Sequence, residues 1–380
     1  MEKASEHSAI QVLREVFQRA GQNTLDLETL LTVASTLVAS GNFSLACDLY
    51  RTWLAHTTSP HAPVMWCHLG MELTKAGDYA DVEAAFRASL ELYRNFYPSS
   101  VGLWRELRRQ GRTNEAVLCH QALLAGLLGP SGCGFDLFNR LAGLPEKVYV
   151  ESPRQTERTA VILCIGQSNG ANHGKKMYKS EHGDKILNYY MGKYCIAESP
   201  MLGSSGLDGD PWTNLGNMMI SMGYADRVIF VPAAVGATSI RRWQEGGDLN
   251  YMMQSVIAES QANLTITHIL WHQGESDFVE KTSGEDYKTG LSSVIKTIRS
   301  NNVGAPIYIC VASKVIGADG WHPDNPIATA QRLIVDNAEK IYSGVDTDLI
   351  LDEMGRYDGV HFSELGQDKF ARAWIKILMQ

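Results

Sequence analysis

The sequence predicts an α/β fold, with a parallel sheet covered by helices, preceded by an all-helical region. The chain has 380 residues, more than one hydrophobic core usually holds, so two domains are expected. In the first 145 residues, apolar side chains recur at intervals of three and four, which is the spacing of one helix face. After them, apolar β-branched runs alternate with segments long enough to contain crossover helices.

The helical region contains a recurring glycine-led triplet. It appears as Gly41-Asn42-Phe43, Gly77-Asp78-Tyr79 and Gly111-Arg112-Thr113. Each glycine is expected to end a helix, because glycine adopts the left-handed conformation at helix ends readily. The residues five and nine positions after each glycine are expected to pack the following helix; they are Ala46, Val82, Ala116, Tyr50, Phe86 and His120.

This pattern resembles the tetratricopeptide repeat, a helix–turn–helix unit of about 34 residues, over roughly residues 25 to 128. Stacked repeats of this kind leave a concave surface, which predicts a protein partner. Packing of the array on the second domain is the alternative interpretation. We expect a TPR-like domain over residues 1–145 and a second domain over residues 146–380.

The second domain is predicted to contain five strands that are buried on both faces. They are residues 160–165, 227–233, 267–272, 306–312 and 347–351. Helical spacing over residues 369–378 predicts a closing helix, with Ser363 as its N-terminal cap.

Composition excludes several classes of function. The net charge is −8, so nucleic-acid binding is not expected. No apolar run approaches the roughly 20 residues that cross a bilayer. The seven cysteines form no C-x-x-C pair, which predicts a reducing compartment without structural zinc. The N-terminus lacks the pattern of a signal peptide, so a cytoplasmic location is expected, with envelope association left open.

Chemically useful residues follow the predicted strands. In a parallel sheet, function collects at the carboxyl ends of the strands. Ser168 follows the first strand, Gly236 the second and Gln273 the third, while Asp358 and His361 follow the last. A serine in a tight turn, a histidine that accepts its proton and an aspartate that orients the imidazole are what acyl transfer needs. The turn by itself is more typical of a structural polar loop after a strand.

Three blocks resemble the signature blocks of the SGNH hydrolase superfamily, in particular its sialate O-acetylesterase-like branch, which includes family 6 carbohydrate esterases. They are Gly166-Gln167-Ser168-Asn169, Trp271-His272-Gln273-Gly274-Glu275-Ser276-Asp277 and Asp358-Gly359-Val360-His361-Phe362. The resemblance spans about residues 158 to 380. It implies a flavodoxin-like three-layer α/β/α sandwich, and ester hydrolysis without a metal or other cofactor.

The resemblance also implies roles for individual residues. Ser168 would be the nucleophile, His361 the base and Asp358 its orienting partner. The backbone N–H groups of Ser168 and Gly236 and the amide of Gln273 would stabilise the oxyanion.

Further residues are predicted to contact substrate or to border its pocket; they are Gln167, Asn169, Glu275, Trp321 and His322. Trp212, Trp243 and Trp321 lie in or near the strand-end loops; most such tryptophans are packing residues, but one flat ring would suit the face of a sugar. His322 is the main rival to His361 as the base, and His272 is expected to be structural.

The predicted function is therefore hydrolysis of O-acetyl esters on carbohydrate by a serine esterase, through an acyl-enzyme. Two alternatives remain at this point. The same triad could transfer the acyl group to a glycan hydroxyl instead of water. Alternatively, the chain could be a non-catalytic TPR scaffold that binds glycan or protein.

Overall fold

The computed structural model describes residues 2–93, 96–112, 114–116, 118–119, 134–136 and 138–380. The chain divides into two compact units, Met1–Gly126 and Leu127–Gln380. Thr113 and His120, named above, and Cys133, one of the seven cysteines, lie outside the described residues. The domain boundary at residues 145 and 146 stays a prediction.

The first unit is built from helices, most of which pack against the next helix along the chain. They are α1 (Glu2–Gly21), α2 (Leu27–Ala39), α3 (Phe43–Leu54), α4 (Ala62–Ala76), α5 (Val82–Leu92) and α6 (Tyr97–Arg109). Gly41, Gly77 and Gly111 have φ angles of 75°, 74° and 74°, as expected for glycines at helix ends. The predicted packing residues within the described part of the chain, Ala46, Tyr50, Val82, Phe86 and Ala116, are all buried.

The second unit contains a two-stranded ribbon and, among the described residues, an eight-stranded sheet. The ribbon pairs β1 (Gly134–Phe135) with β2 (Leu141–Gly143). The sheet strands are β3 (Tyr149–Val150), β4 (Thr159–Gly166), β5 (Ile186–Tyr190), β6 (Lys193–Ile196), β7 (Arg227–Ala234), β8 (His268–His272), β9 (Ile307–Val311) and β10 (Ile341–Asp346). Their order is β10-β9-β8-β4-β7-β5-β6-β3.

Most of this sheet is parallel, which confirms the predicted α/β class. All pairs from β10 across to β5 run parallel, and only β6 and β3 at the far edge are antiparallel to their neighbours.

The α-helices described in this second unit are α7 (Trp212–Ser221), α8 (Ile240–Trp243), α9 (Asp248–Gln261), α10 (Glu275–Val279), α11 (Gly284–Ser300), α12 (Pro326–Leu333), α13 (Thr347–Ile350) and α14 (Glu364–Leu378).

Strand β4 is buried on both faces at the centre of the sheet. Ile162 and Cys164 join one core cluster with side chains of α7 and α14, including Trp212 and Phe370. Leu163 points to the opposite face, because side chains alternate along a strand, and it is fully buried too. Helices therefore cover both faces of the sheet, and the ends of the strands are the part of the sheet that is available for a functional site.

The prediction of a fifth strand over residues 347–351 is wrong. The strand is β10, which ends at Asp346, and the residues after it form the short helix α13. The Asp346 side chain accepts a hydrogen bond from the N–H of Leu349, and this cap starts the helix. Strand β10 lies at the sheet edge, and only Ile341 and Val345 in it are buried, so it shows no continuous apolar run.

Strands β5 and β6 form a hairpin that the sequence pattern did not reveal. Met191 and Gly192 connect them with φ angles of 49° and 78°, as a tight two-residue turn requires. The predicted closing helix is confirmed as part of α14, and the Ser363 side chain accepts from the N–H of Gly366. Among the helices described, none has the length and apolarity needed to cross a membrane.

The end of β4 is pressed against the end of β8 at Gly166. A Cβ atom added there would lie 2.0 Å from the backbone oxygen of His272, and the φ angle of Gly166 is +152°. The next residue, Gln167, donates its N–H to the same His272 oxygen at 2.9 Å. Only glycine permits this approach, and it fixes the position of the turn that follows.

We expect Gly166→Ala to lower the free energy of unfolding by about 2–5 kcal/mol, because strain at this φ and a backbone clash add together. Urea denaturation measures the change. Gly304→Ala is the matched control, because nothing lies within 4 Å of its added Cβ. Equal stability of the two variants would contradict the close approach.

Candidate active site

Ser168 lies in a short 3-10 turn, Ser168–Gly170, directly after β4. Ser168 is 5% exposed, so the turn is buried and does not project into solvent. The turn is closed by hydrogen bonds from Gly170 N–H to Gln167 O at 2.8 Å and from Ala171 N–H to Ser168 O at 2.9 Å. A serine held in this way has a restricted position relative to the strand ends around it.

Asn169 ties this turn to the loop that carries His361. Its side-chain Nδ2 donates to Val360 O at 3.1 Å, and its Oδ1 accepts from the N–H of Phe362 at 3.1 Å. These two bonds hold the residues on either side of His361. The same Nδ2 also donates to Glu275 Oε1 at 2.8 Å. Asn169 therefore joins segments almost 200 residues apart in sequence and brings the Ser168 turn beside His361.

His361 and Asp358 form a close pair. The distance from His361 Nδ1 to Asp358 Oδ2 is 2.6 Å. The other carboxylate oxygen accepts from the N–H groups of His361 at 2.7 Å and Val360 at 2.9 Å. Partial burial by itself raises the pKa of Asp358, but these N–H groups and the imidazole outweigh it, and the pKa is lowered. Asp358 is thus an ionised acceptor that fixes the ring through Nδ1.

Two aromatic rings flank the imidazole of His361. The His173 ring stacks at 5.3 Å between centroids with planes 19° apart, and the Tyr357 ring lies at 6.0 Å. Tyr357 also donates its hydroxyl to His173 O at 3.2 Å. Burial, and then the charge of His361, lower the pKa of His173. A neutral ring at this position can restrain His361 without repelling a positive charge on it.

The predicted oxyanion donor Gly236 already has a partner in this structure. Its N–H donates to Ser205 Oγ at 2.7 Å, and that hydroxyl lies 3.2 Å from His173 Nε2. A substrate oxygen therefore meets the Gly236 N–H only if it displaces Ser205, or else meets the Ser205 hydroxyl itself. Sequence reasoning missed Ser205, because no motif surrounds it and only the fold places it beside Gly236.

The predicted donor Gln273 is fully buried. Its Nε2 lies 2.8 Å from Thr238 O, 2.5 Å from Asp277 Oδ2 and 3.3 Å from Gln167 Oε1. Three oxygen neighbours surround a nitrogen with two hydrogens, so the amide braces the strand-end loops in this arrangement. Its role as an oxyanion donor stays a prediction that requires the amide to change partners.

The predicted contact residues Gln167 and Glu275 are buried as well. Gln167 Oε1 accepts from the N–H groups of Gly274 at 3.2 Å and Ser276 at 3.3 Å, so it braces the loop after β8. Burial raises the pKa of Glu275, against the opposing effect of the Asn169 hydrogen bond. Both side chains therefore make buried hydrogen bonds that stabilise the segments next to the Ser168 turn.

His272 lies under the turn with its side chain completely buried. Burial, and then the charge of Arg356, lower its pKa to about 3, so the ring is neutral at ordinary pH. Two aromatic rings, Phe362 and Phe370, meet its edge at 5.5 Å. This environment agrees with the structural role that the sequence predicts for it.

Trp321 and His322 border two different cavities. Trp321 lines a cavity of about 330 Å³ together with Lys314 and Glu353. His322 lines another, of about 520 Å³, with Asp324 and Lys288. The two neighbouring residues therefore do not share one substrate pocket. The described part of the chain holds no group of three or more His, Cys, Asp or Glu side chains suited to a metal ion.

Comparison with known proteins places the larger part of the chain. Residues 158–380 match the family model for carbohydrate esterase, sialic acid-specific acetylesterase. A probable carbohydrate esterase of Arabidopsis thaliana is 36% identical over 178 residues, which cover 40% of this chain and 67% of the relative.

Solved structures are more distant. An Arabidopsis thaliana protein aligns with 20% identity and a TM-score of 0.47, covering 58% of this chain and 98% of its own. A carbohydrate acetylesterase from Xanthomonas citri aligns with 14% identity and a TM-score of 0.40, covering 56% of this chain and 55% of its own. At these TM-scores the family assignment rests on the sequence matches.

We expect Asn169→Ala to reduce kcat by about 10²-fold, because a shift of about 1 Å between the turn and the His361 loop costs that much. KM for a small ester should change little, since the side chain is buried away from solvent. Steady-state kinetics measures the split. Asn263→Ala, at an exposed asparagine, is the control; an unchanged kcat in Asn169→Ala would remove the positioning role.

Proposed function

Because the chain belongs to the sialic acid-specific acetylesterase family of carbohydrate esterases, we propose that it removes O-acetyl groups from carbohydrate hydroxyls. Membership makes it a carboxylic ester hydrolase with an esterase domain in residues 158–380. The acyl group, the triad and the covalent intermediate are the finer part of the proposal. The observation that carries them is the double hydrogen bond of Asn169 to the two neighbours of His361.

In the proposed mechanism, Ser168 Oγ attacks the ester carbonyl while His361 Nε2 takes its proton. The tetrahedral intermediate collapses, and His361 returns the proton to the leaving sugar hydroxyl. A water molecule then gives its proton to His361 and attacks the acyl-enzyme, which releases acetate and restores Ser168. Each step needs His361 with a proton on Nδ1 and with Nε2 able to reach Ser168 Oγ, and the 2.6 Å contact with Asp358 favours the proton on Nδ1.

The developing negative charge on the carbonyl oxygen needs donors that are already in place. We assign the N–H of Ser168 as the first of them. The second is the N–H of Gly236, reached when Ser205 gives way, as argued from the 2.7 Å contact between them. Gln273 is the third predicted donor, and it would have to release Thr238 or Asp277 first.

The proposal also covers the domain architecture of the chain, a protein partner and its location in the cell. We infer a flavodoxin-like α/β/α arrangement for the catalytic domain and a TPR-like identity for the helical domain, with their boundary at residues 145 and 146. The left-handed glycines Gly41, Gly77 and Gly111 support the repeat. A repeat of that type offers a surface to a protein partner. A cytoplasmic location belongs to the same proposal.

We expect Ser168→Ala to reduce turnover of 4-nitrophenyl acetate by about 10⁴-fold or more, since no nucleophile remains. Ser292→Ala, at an exposed serine on α11, is the matched control and should retain full activity. Turnover by Ser168→Ala at the control's rate would overturn the assignment. Mass spectrometry of quenched wild-type enzyme should also show an added acetyl group on the Ser168 peptide.

We expect Asp358→Asn to lower kcat by about 10²–10⁴-fold at neutral pH, because the neutral amide no longer stabilises the imidazolium. The asparagine oxygen can still accept from the N–H groups of Val360 and His361, so thermal unfolding should change little. Because the pKa of Asp358 is lowered, the carboxylate stays charged throughout the range in which a histidine acts as a base. A variant with wild-type kcat would exclude Asp358 from the mechanism.

A further inference from the structure

A cavity of about 330 Å³ with apolar and charged lining residues lies beside the proposed catalytic loop, and the proposed mechanism does not use it. It is lined by Lys314, Ile316, Trp321, Asp352 and Glu353, among others. The N–H of Ile316 donates to Gly359 O at 2.9 Å. Gly359 directly follows Asp358, so the wall of this cavity and the loop of His361 are joined by a backbone hydrogen bond.

The ring of Trp321 is held in place from behind by a buried network. Its indole N–H donates to Ser313 Oγ at 3.3 Å, and Asn325 Nδ2 donates to the same oxygen at 2.7 Å. Ser313 in turn donates to Asp348 Oδ2 at 2.5 Å. Ser313, Asn325 and Asp348 are all buried. An aromatic ring fixed in this way loses little conformational entropy when a flat ligand packs on it.

The charged side chains of the cavity are also anchored. Lys314 Nζ donates to Leu351 O at 3.0 Å and to Asp348 O at 3.3 Å, and it lies 4.7 Å from the centroid of the Trp321 ring. These carbonyls use two of its three N–H groups. Asp352 accepts from Gly355 N–H and lies 3.9 Å from Lys369 Nζ. The charged side chains that line the cavity are thus one ammonium, Lys314, and two carboxylates, Asp352 and Glu353, so the lining carries no net positive charge.

We propose that this cavity binds a neutral sugar ring that adjoins the acetylated one, so that the enzyme prefers acetylated oligosaccharides to acetylated monosaccharides. The inference rests on the proposed function. Sugar C–H faces pack on aromatic rings, while carboxylates accept from sugar hydroxyls and the ammonium donates to them. An anionic sugar gains nothing here, because the cavity has no excess of positive charge.

The first test measures binding without catalysis. Calorimetric titration of the wild-type protein with unacetylated xylo- and cello-oligosaccharides should show saturable binding. Trp321→Ala should weaken oligosaccharide binding about tenfold. A tenfold change in affinity corresponds to about 1.4 kcal/mol, which is the size of one aromatic contact. Glu353→Gln should weaken it less, and Trp321→Phe should keep part of the affinity because a ring remains.

The second test measures the ratio of kcat/KM for partially acetylated oligosaccharides to kcat/KM for 4-nitrophenyl acetate. Trp321→Ala should lower this ratio about tenfold through KM. Met354→Ala is the control, because its side chain is 73% exposed and lies next to Glu353 without lining the cavity. Thermal unfolding of each variant checks that the buried network survives.

The outcomes separate the two claims. Oligosaccharide binding that depends on Trp321, in a protein that hydrolyses no ester, would overturn the proposed function and leave the sugar site standing. Ester hydrolysis that depends on Ser168, with no oligosaccharide binding or with binding equal in Trp321→Ala, would overturn the sugar site alone. Tighter binding of oligogalacturonate than of the neutral oligosaccharides would overturn the assignment to neutral sugars.

Discussion

The side-chain amide of Asn169 is the interaction on which the arrangement of the candidate site depends. It bonds Val360 O, the N–H of Phe362 and Glu275 at once, and so connects the turn after β4, the loop after β8 and the loop before α14. A buried amide with all three contacts has few alternative positions, because each lost hydrogen bond costs about 1–3 kcal/mol. The hydrogen bonds of Asn169 therefore fix the position of Ser168 relative to His361.

Polar groups are buried beneath the turn at a cost in stability. Glu275 is 1% exposed and His272 completely buried, and Glu275 Oε2 and His272 Nδ1 have no hydrogen-bond partner among the described residues. Burial raises the pKa of Glu275 and lowers that of His272, because it disfavours the charged form of each group. These buried polar groups give the turn directional hydrogen bonds that an apolar core lacks, and their desolvation costs free energy.

Ser205 and His173 alter how the oxyanion site is understood. A hydroxyl occupies the N–H of Gly236, and an imidazole that stacks on His361 contacts that hydroxyl. In the resting site the N–H of Gly236 is thus already hydrogen-bonded rather than free. A substrate carbonyl competes for a donor that already has an acceptor, and the gain in the transition state comes from the greater charge on the oxyanion.

The sequence by itself determined the α/β class, four of the five proposed strands, the helix that closes the fold and the residues at the strand ends. It succeeded there because buried parallel strands are continuous apolar runs and because Asp358 and His361 are close in sequence. It failed at β10, an edge strand with only two buried residues, and at the β5–β6 hairpin. Only the tertiary structure decided that Asn169 bridges two loops, that Ser205 caps Gly236 and that Trp321 and His322 line separate cavities. These contacts join residues tens to hundreds of positions apart, and no local pattern of side chains records which of them will meet.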